Sequence, residues 1–412
     1  MHTFLIILAL IALLCIIFED WFRINKAKSA LFFGCFSWLC LFVQGEGGQE
    51  HVNRQLDENL LEIATLWLFL MSTMTFVAYL NAKGMIQTAV RKVFPSEVSV
   101  RVLLFQVAFF ALLLSAICDN VTATLVSLGL VQAFNLDTKT KLKMATLVVF
   151  AVNSGGVSLI TGDVTTLMIF LAGHVSMSQL LTLLVPASTG VIILAVLLSL
   201  NLSGRITLEP VKGSFQTADI IIAAVFFGTI VSTMLLNVLY GVPPVLTFLT
   251  GLSVMFLVGI NTRSEKEELK ILEYIRQIEY ETLLFFLGVL LLVGMLKEIG
   301  VLTTLTSIYA QLSPAVANYS AGIFSSLLDN VPLTAALLKA NPELTLSEWL
   351  GLTYAVGVGG SLLAIGSAAG ILAMSKVQGL TFMAYLRFLP ALLVAYSAGY
   401  LVTIWLSQQL FG

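Results

Sequence analysis

Charge is what this chain has least of. Of 412 residues only 11% are Asp, Glu, Lys or Arg, 58% are hydrophobic, and the mean hydropathy is +0.98. Soluble globular domains carry about 25% charged residues, so that class is excluded. The formal net charge is −2, with no basic excess to suggest a nucleic-acid partner. The four cysteines, Cys15, Cys35, Cys40 and Cys118, lie in or against apolar stretches, which reads as buried packing rather than a disulfide framework or a metal cluster. No Lys or Arg precedes the first apolar run, Thr3 to Phe18, and no small-residue cleavage site follows it, so a retained helix is expected there. Motifs for a nucleophile, a nucleotide or a resident metal are missing too, leaving no enzyme and no cofactor to expect.

What is present is apolar sequence in long runs. Ile63–Leu80, Ile220–Tyr240 and Val242–Ile260 are uncharged and close to the roughly 20 residues that cross a hydrocarbon core. The expected fold is an all-α polytopic membrane protein with about ten spanning segments. Basic loops, among them Lys139/Lys141/Lys143 and Arg205/Lys212, are assigned to the inside, and the acidic segment Val43–Leu60 to the outside.

Alternation fails once. Val102–Phe134 is flanked by basic residues at both ends, so the chain enters and leaves on one side. A single helix over those residues would be roughly 50 Å long at 1.5 Å per residue, too long for one crossing. A re-entrant hairpin with its tip at Asp119-Asn120 satisfies both facts, and Asp and Asn suit the new helix start.

The tip returns 210 positions later. "CDNVTATL" around Asp119 is answered by "LDNVPLTAAL" around Asp329, and "NSGGVSLITGDVTT" (153–166) by "GVGGSLLAIGSAAG" (357–370). Two inverted repeats follow: 1–201, with its hairpin tip at Asp119-Asn120 and a broken helix at 153–163, and 218–412, with its tip at Asp329-Asn330 and a broken helix at 357–367. Residues 202–217 form a cytoplasmic linker. Broken helices expose half-helix ends and free carbonyls at the midplane, where transporters bind ions and polar solutes.

Carboxylates deep in such elements cost several kcal/mol on the lenient insertion scale and mark function or water. Asp119, Asp163 and Asp329 are therefore the candidates, each weighed against the plainer role of a helix N-cap. Around them lie oxygen donors: Asn120, Asn153, Ser154, Thr161, Thr165, Thr166, Asn330, Ser361 and Ser367. Each hydroxyl has a plainer reading, bonding its own backbone. Carboxylate and neutral oxygens suit a small monovalent cation, and a titrating carboxylate can carry a proton in exchange. Cation and proton would compete for Asp119, with Na+ placed at Asp119, Asn120, Asp329 and Asn330. The rival on the same fold is a sodium-coupled carrier of a dicarboxylate or an inorganic oxyanion, which would favour neutral groups where these aspartates stand.

These motifs resemble those of the NhaD-type sodium/proton antiporters, a branch of the ion transporter superfamily that also holds arsenite exporters and dicarboxylate and citrate carriers. The resemblance covers nearly the whole chain, and "GDVTT" is its most specific piece. It implies electrogenic, pH-dependent exchange of Na+ or Li+ for H+ at a bacterial inner membrane or organellar equivalent. Cations, protons and membrane lipid are the implied partners, with no nucleic acid and with a homodimer ordinary for the superfamily. The resemblance carries site roles onto Asp119, Asn120, Asn153, Asp163, Thr165, Thr166, Asp329, Asn330, Ser361 and Ser367. It departs at "YLNAKG", where relatives carry a glutamate and this chain has Asn81 and Ala82. His174, in "AGHVSMS", is where relatives can have histidine; it is a candidate pH sensor or simply a polar residue at an outer helix end. His51 reads as a loop histidine.

Overall fold

Where the apolar runs are longest, the chain is helical, because lipid offers no partners for free backbone groups. The computed structural model describes residues 2–17, 24–44, 48–85, 97–134, 136–200, 202–207, 217–261, 273–278, 280–302, 307, 309, 311–327 and 330–411. Seven described helices or helix pairs are long and apolar enough to cross a membrane, and three shorter apolar helices accompany them. Large apolar side chains such as Leu39, Phe109, Phe227 and Leu401 are exposed on their outer faces. That is the arrangement of an integral, multi-pass membrane protein.

The chain forms two compact units. One comprises Met1–Phe18, Pro95–Leu208 and Val293–Gly412, the other Glu19–Phe94 and Glu209–Leu292. In the second unit, α2 (Lys26–Gln44) packs on α3 (Gln49–Ala82), which also packs on α10 (Thr217–Tyr240) and α11 (Pro244–Asn261). The acidic segment assigned to the outside is thus helical from Gln49 onward, and His51 lies in the first turn of α3, not in a loop. Trp38 and Trp67 donate from Nε1 to the carbonyls of Leu291 and Leu283, both at 2.9 Å, on α12 (Tyr280–Glu298). Tyr79 Oη donates to Asp219 Oδ1 at 2.6 Å, and Lys83 Nζ stands 3.9 Å from the same oxygen.

The first unit contains α1 (His2–Ile17) and two series of six helices. The first series is α4 (Val100–Ile117), α5 (Asn120–Ala133), α6 (Thr138–Gly156), α7 (Val164–Leu171), α8 (Met177–Thr182) and α9 (Leu184–Ser199). The second is α13 (Pro314–Ser325), α14 (Asn330–Ala340), α15 (Leu346–Gly359), α16 (Ala368–Lys376), α17 (Phe382–Leu386) and α18 (Leu389–Phe411). Each opens with a helical hairpin and continues with a broken helix. Packing repeats as well: α4 lies on α6 as α13 lies on α15, α7 packs on α14 as α16 packs on α5, and α9 packs on α18. Each broken helix therefore sends its second piece to the hairpin of the other series.

Local chemistry explains the boundaries. Asp137 caps α6 through Thr140 N–H, and Thr345 with Glu348 forms a capping box at the start of α15. Pro314 sits in the first turn of α13, and Pro332 is the third residue of α14, where a missing N–H costs nothing. Sequence gave no sign of one feature: Glu97–Ser99 and Arg205–Thr207 pair as a short antiparallel ribbon, β1 and β2, which makes the start of the expected linker part of the packed unit. Lys143 Nζ secures the end of α9 by donating to the carbonyls of Leu198 and Leu200 at 2.9 and 3.0 Å.

Candidate functional site

All the described site candidates lie in the first unit. α4 ends at Ile117, Cys118 turns out of the helix, and Asp119 caps α5 by accepting from Thr122 N–H at 2.9 Å. The cap reading of Asp119 therefore holds in the structure, and its side chain is half-buried. Asp163 caps α7 in the same manner, its Oδ1 accepting from both the N–H and the Oγ1 of Thr165 at 2.9 Å.

The other oxygen of Asp163 does something Asp119 does not. Oδ2 accepts from Asn120 Nδ2 at 2.8 Å and from Asn330 Nδ2 at 3.4 Å. Asp163 is only 4% exposed, and a carboxylate so placed is costly unless several donors satisfy it. Ser115 Oγ donates to Asn120 Oδ1 at 2.8 Å, which orients that amide with its NH2 toward the carboxylate. Asn120, Asp163, Thr165 and Asn330 are thus brought together, with donors from both hairpins. Asp329, the partner of Asn330 in the second tip, lies outside the described residues.

Glycine permits this approach. A Cβ on Gly156 would stand 2.9 Å from Asn120 Oδ1 and 3.0 Å from the Cβ of Asp163, and one on Gly162 would overlap the Ser115 carbonyl. The duplicate repeats the contact: a Cβ on Gly366 would overlap the Ser326 carbonyl. The helices break where backbone must lie against backbone, at 157–163 and 360–367.

Remaining candidates form a second group and some isolated contacts. Asn153, still inside α6, donates from Nδ2 to Val149 O at 2.8 Å and to Ser367 Oγ at 3.2 Å, while Ser367 caps α16. The Oδ1 of Asn153 and the Oγ of Ser154 are buried with no hydrogen-bond partner among the described residues. Thr161, Thr166 and Ser361 give their hydroxyls to the carbonyls of Ala116, Gly156 and Val358. Only Ser361 shows the plainer behaviour of bonding its own backbone, whereas Thr161 reaches a carbonyl of α4 and Thr166 one at the end of α6, across the break. His174 stands apart, in the turn after α7, stacked on Trp349 with centroids 3.7 Å apart and planes 12° from parallel. Burial pulls its pKa below the ordinary histidine value.

Two contributors escaped the sequence reading. Ser115 could have been found, since a hairpin tip at Asp119 sets residues just before it opposite Asn120. Tyr385, whose Oη donates to the Ser361 carbonyl at 2.5 Å, gave no signal, because it lies 24 positions away on another helix.

Among the described residues no group of three or more His, Cys, Asp or Glu could hold a metal ion. One carboxylate ringed by neutral amide and hydroxyl groups can instead exchange a proton for a monovalent cation.

Comparison with known proteins agrees with that chemistry. Residues 5–359 match the model of the CitMHS family, described as citrate transporter. The chain is 30% identical to the Na(+)/H(+) antiporter NhaD of Vibrio cholerae, over 97% of this chain and 91% of that protein. It is 28% identical to the NhaD of Alkalimonas amylolytica, over 97% and 90%. Sodium/proton antiporter 1 of Arabidopsis thaliana is 27% identical over 93% of this chain and 70% of its own length. Among solved structures, the YdaH transporter of Alcanivorax borkumensis superimposes with a TM-score of 0.58, at 13% identity, covering 88% of this chain and 89% of that one. At that identity the likeness speaks for the fold alone.

Proposed function

The chain belongs to the NhaD sodium/proton antiporters, within the citrate transporter family, and from that premise we propose how it works. It is a secondary active antiporter that exchanges Na+, or Li+, for H+ across a bacterial inner membrane or an organellar equivalent. The observation that carries the mechanism is the convergence of Asn120 and Asn330 on one oxygen of Asp163.

In this reading Asp163 is the charge shared by the two ions. Protonation neutralises it, whereas a cation needs it ionised, so occupancy by one excludes the other and couples their movements. Each asparagine amide carries an oxygen beside its NH2, and rotation about the side chain turns that oxygen toward a bound cation. Thr165 Oγ1 adds another acceptor, giving the hard oxygen surroundings that Na+ prefers. The N-termini of α5, α7, α14 and α16 begin among these residues and offset negative charge there. Asp119 takes the supporting role of capping the first hairpin tip, and with Asp329 it is proposed to keep negative charge near the path. Asn153 and Ser367 extend the polar surface, with Thr166 and Ser361 fixing the backbone around it. His174 is proposed as the pH sensor.

The halves 1–201 and 218–412 are proposed as inverted repeats joined through 202–217, supported by the matching series α4–α9 and α13–α18. A homodimer, supported by the family resemblance, is the remaining part of the proposal and is tested by the mass of the detergent-solubilised protein.

Proton flux in proteoliposomes with an acid interior tests the function, on adding Na+, Li+, K+ or succinate in turn. Alkalinisation of the interior by Na+ or Li+ is expected. Silence with every cation, together with accumulation of labelled succinate or citrate in a sodium gradient, would instead establish the anion carrier that the family's description suggests.

A further inference from the structure

Hydroxyls in these helices habitually bond the carbonyl one turn back: Thr124 to Asn120 O at 2.6 Å, Thr334 to Asn330 O at 2.8 Å, Thr403 to Gly399 O at 2.9 Å. Ser127 on α5 and Thr146 on α6 break the habit. Both are fully buried, and neither hydroxyl has a hydrogen-bond partner among the described residues.

Their register places them along one seam. Ser127 follows Asn120 by seven positions, two turns of helix, and so shares the α5 face that Asn120 presents to Asp163. Thr146 precedes Asn153 by seven and so shares the α6 face that meets Ser367, the cap of α16. α5, α6 and α16 pack on one another pairwise. The buried residues of α16 are Ala369, Gly370 and Ala373, all small and none with a polar side chain to offer the hydroxyls. At one end of the seam are Asn153 and Ser154, within a turn of Gly156, which lies against Asp163. At the other, Gln132 Nε2 donates to the Lys376 carbonyl at 2.5 Å, and Lys376 and Lys139 are exposed.

Buried polar atoms without protein partners are satisfied by water when the site has room. A row of hydroxyls that both donate and accept relays protons, whereas a cation needs a complete oxygen shell at every step. We propose that the seam between α5, α6 and α16, lined by Ser127, Thr146 and Asn153, is a hydrated route by which protons pass between the Lys376 end and Asp163. The proposal rests on the antiport reading of Asp163 and adds a separate path for one of its two ions.

Cysteine labelling tests the water. With Cys15, Cys35, Cys40 and Cys118 replaced by Ala, Ser127→Cys and Thr146→Cys should react with a small water-soluble methanethiosulfonate at least about tenfold faster than Leu147→Cys, since reaction requires an accessible thiolate. Leu147 is equally buried and lies about 100° round α6 from Thr146, off the line of the seam. Equal rates at all three positions would overturn the proposal. Flux tests the proton: Ser127→Ala combined with Thr146→Val should slow proton movement several-fold at saturating Na+, with the apparent KM for Na+ little changed. Unchanged flux in that variant would also overturn it. Fast labelling in a protein that shows no sodium-driven proton movement would count against the antiport reading and leave the wet seam standing.

Discussion

Asn330 Nδ2 reaches Oδ2 of Asp163 at 3.4 Å, across 167 positions of sequence, so a carboxylate of the first series of helices is held in part by an amide of the second. The packing of α7 on α14 makes that bond possible. Donors from both series of helices therefore meet on this one oxygen.

The first prediction separates the two described aspartates. Asp163→Asn removes the shared charge and should reduce Na+-driven proton movement in proteoliposomes to background. Asp119→Asn keeps a good N-cap, so folding should change by only a few tenths of a kcal/mol, and measurable exchange should remain. The reverse ranking would return the ion to Asp119.

Much of this was legible in the sequence for a definite reason. Hydropathy fixed the class, and Asp119-Asn120 marked the turn between α4 and α5, because lipid punishes free backbone and charge alike. That the proposal turns on Asp163 rather than Asp119 was not legible: both precede a helix and both cap it, and only the tertiary approach of two asparagines distinguishes them. Tyr385 was invisible for a related cause, since its bond to a backbone carbonyl leaves no trace in side-chain patterning.

Glycines at the break should tolerate nothing larger. Gly162→Ala would press its Cβ into the Ser115 carbonyl and should cost about 1–3 kcal/mol, read as a lowered melting temperature in detergent. Gly129, within α5, has open space around its Cα, and Gly129→Ala should stabilise by about 1 kcal/mol through helix propensity. If Gly162→Ala melts like the parent protein, the close approach of α4 to the break is wrong.

His174 gives a pH prediction with a definite sign. Burial lowers its folded pKa from the ordinary 6.5, so the unfolded chain binds the proton more readily. The contribution of this group is fully present above pH 6.5 and is lost as pH falls below it. The melting temperature should therefore decline from neutral toward mildly acidic pH, and His174→Gln should flatten that part of the profile. A slope of opposite sign would mean that the Trp349 face, which attracts an imidazolium, outweighs burial.

In the second unit, Tyr79→Phe removes a 2.6 Å hydrogen bond to the buried Asp219 carboxylate. Hydrogen bonds to charged groups contribute about 1.5–3 kcal/mol, so a clear fall in melting temperature is expected. The pair belongs to the compact unit that holds none of the described site candidates, so the apparent KM for Na+ should stay within about twofold, as for independent sites. A large change in KM with unaltered melting would give Tyr79 a part in transport.

The two asparagines make the sharpest test of the shared oxygen. Asn120→Ala deletes the shorter bond, 2.8 Å against 3.4 Å for Asn330, and should raise the apparent KM for Na+ by roughly 10- to 100-fold, the range that loss of a hydrogen bond to a charged group spans. Asn330→Ala should raise it less, since a 3.4 Å contact is at the weak end of hydrogen-bond geometry. Both amides end on one atom, so the double variant should lose less than the two single losses combined, as groups sharing a partner do. Proton flux measured over a series of Na+ concentrations in proteoliposomes supplies all three constants. Losses that simply multiply would mean the two amides act at separate places, and that the convergence on Asp163 is not the arrangement used during transport.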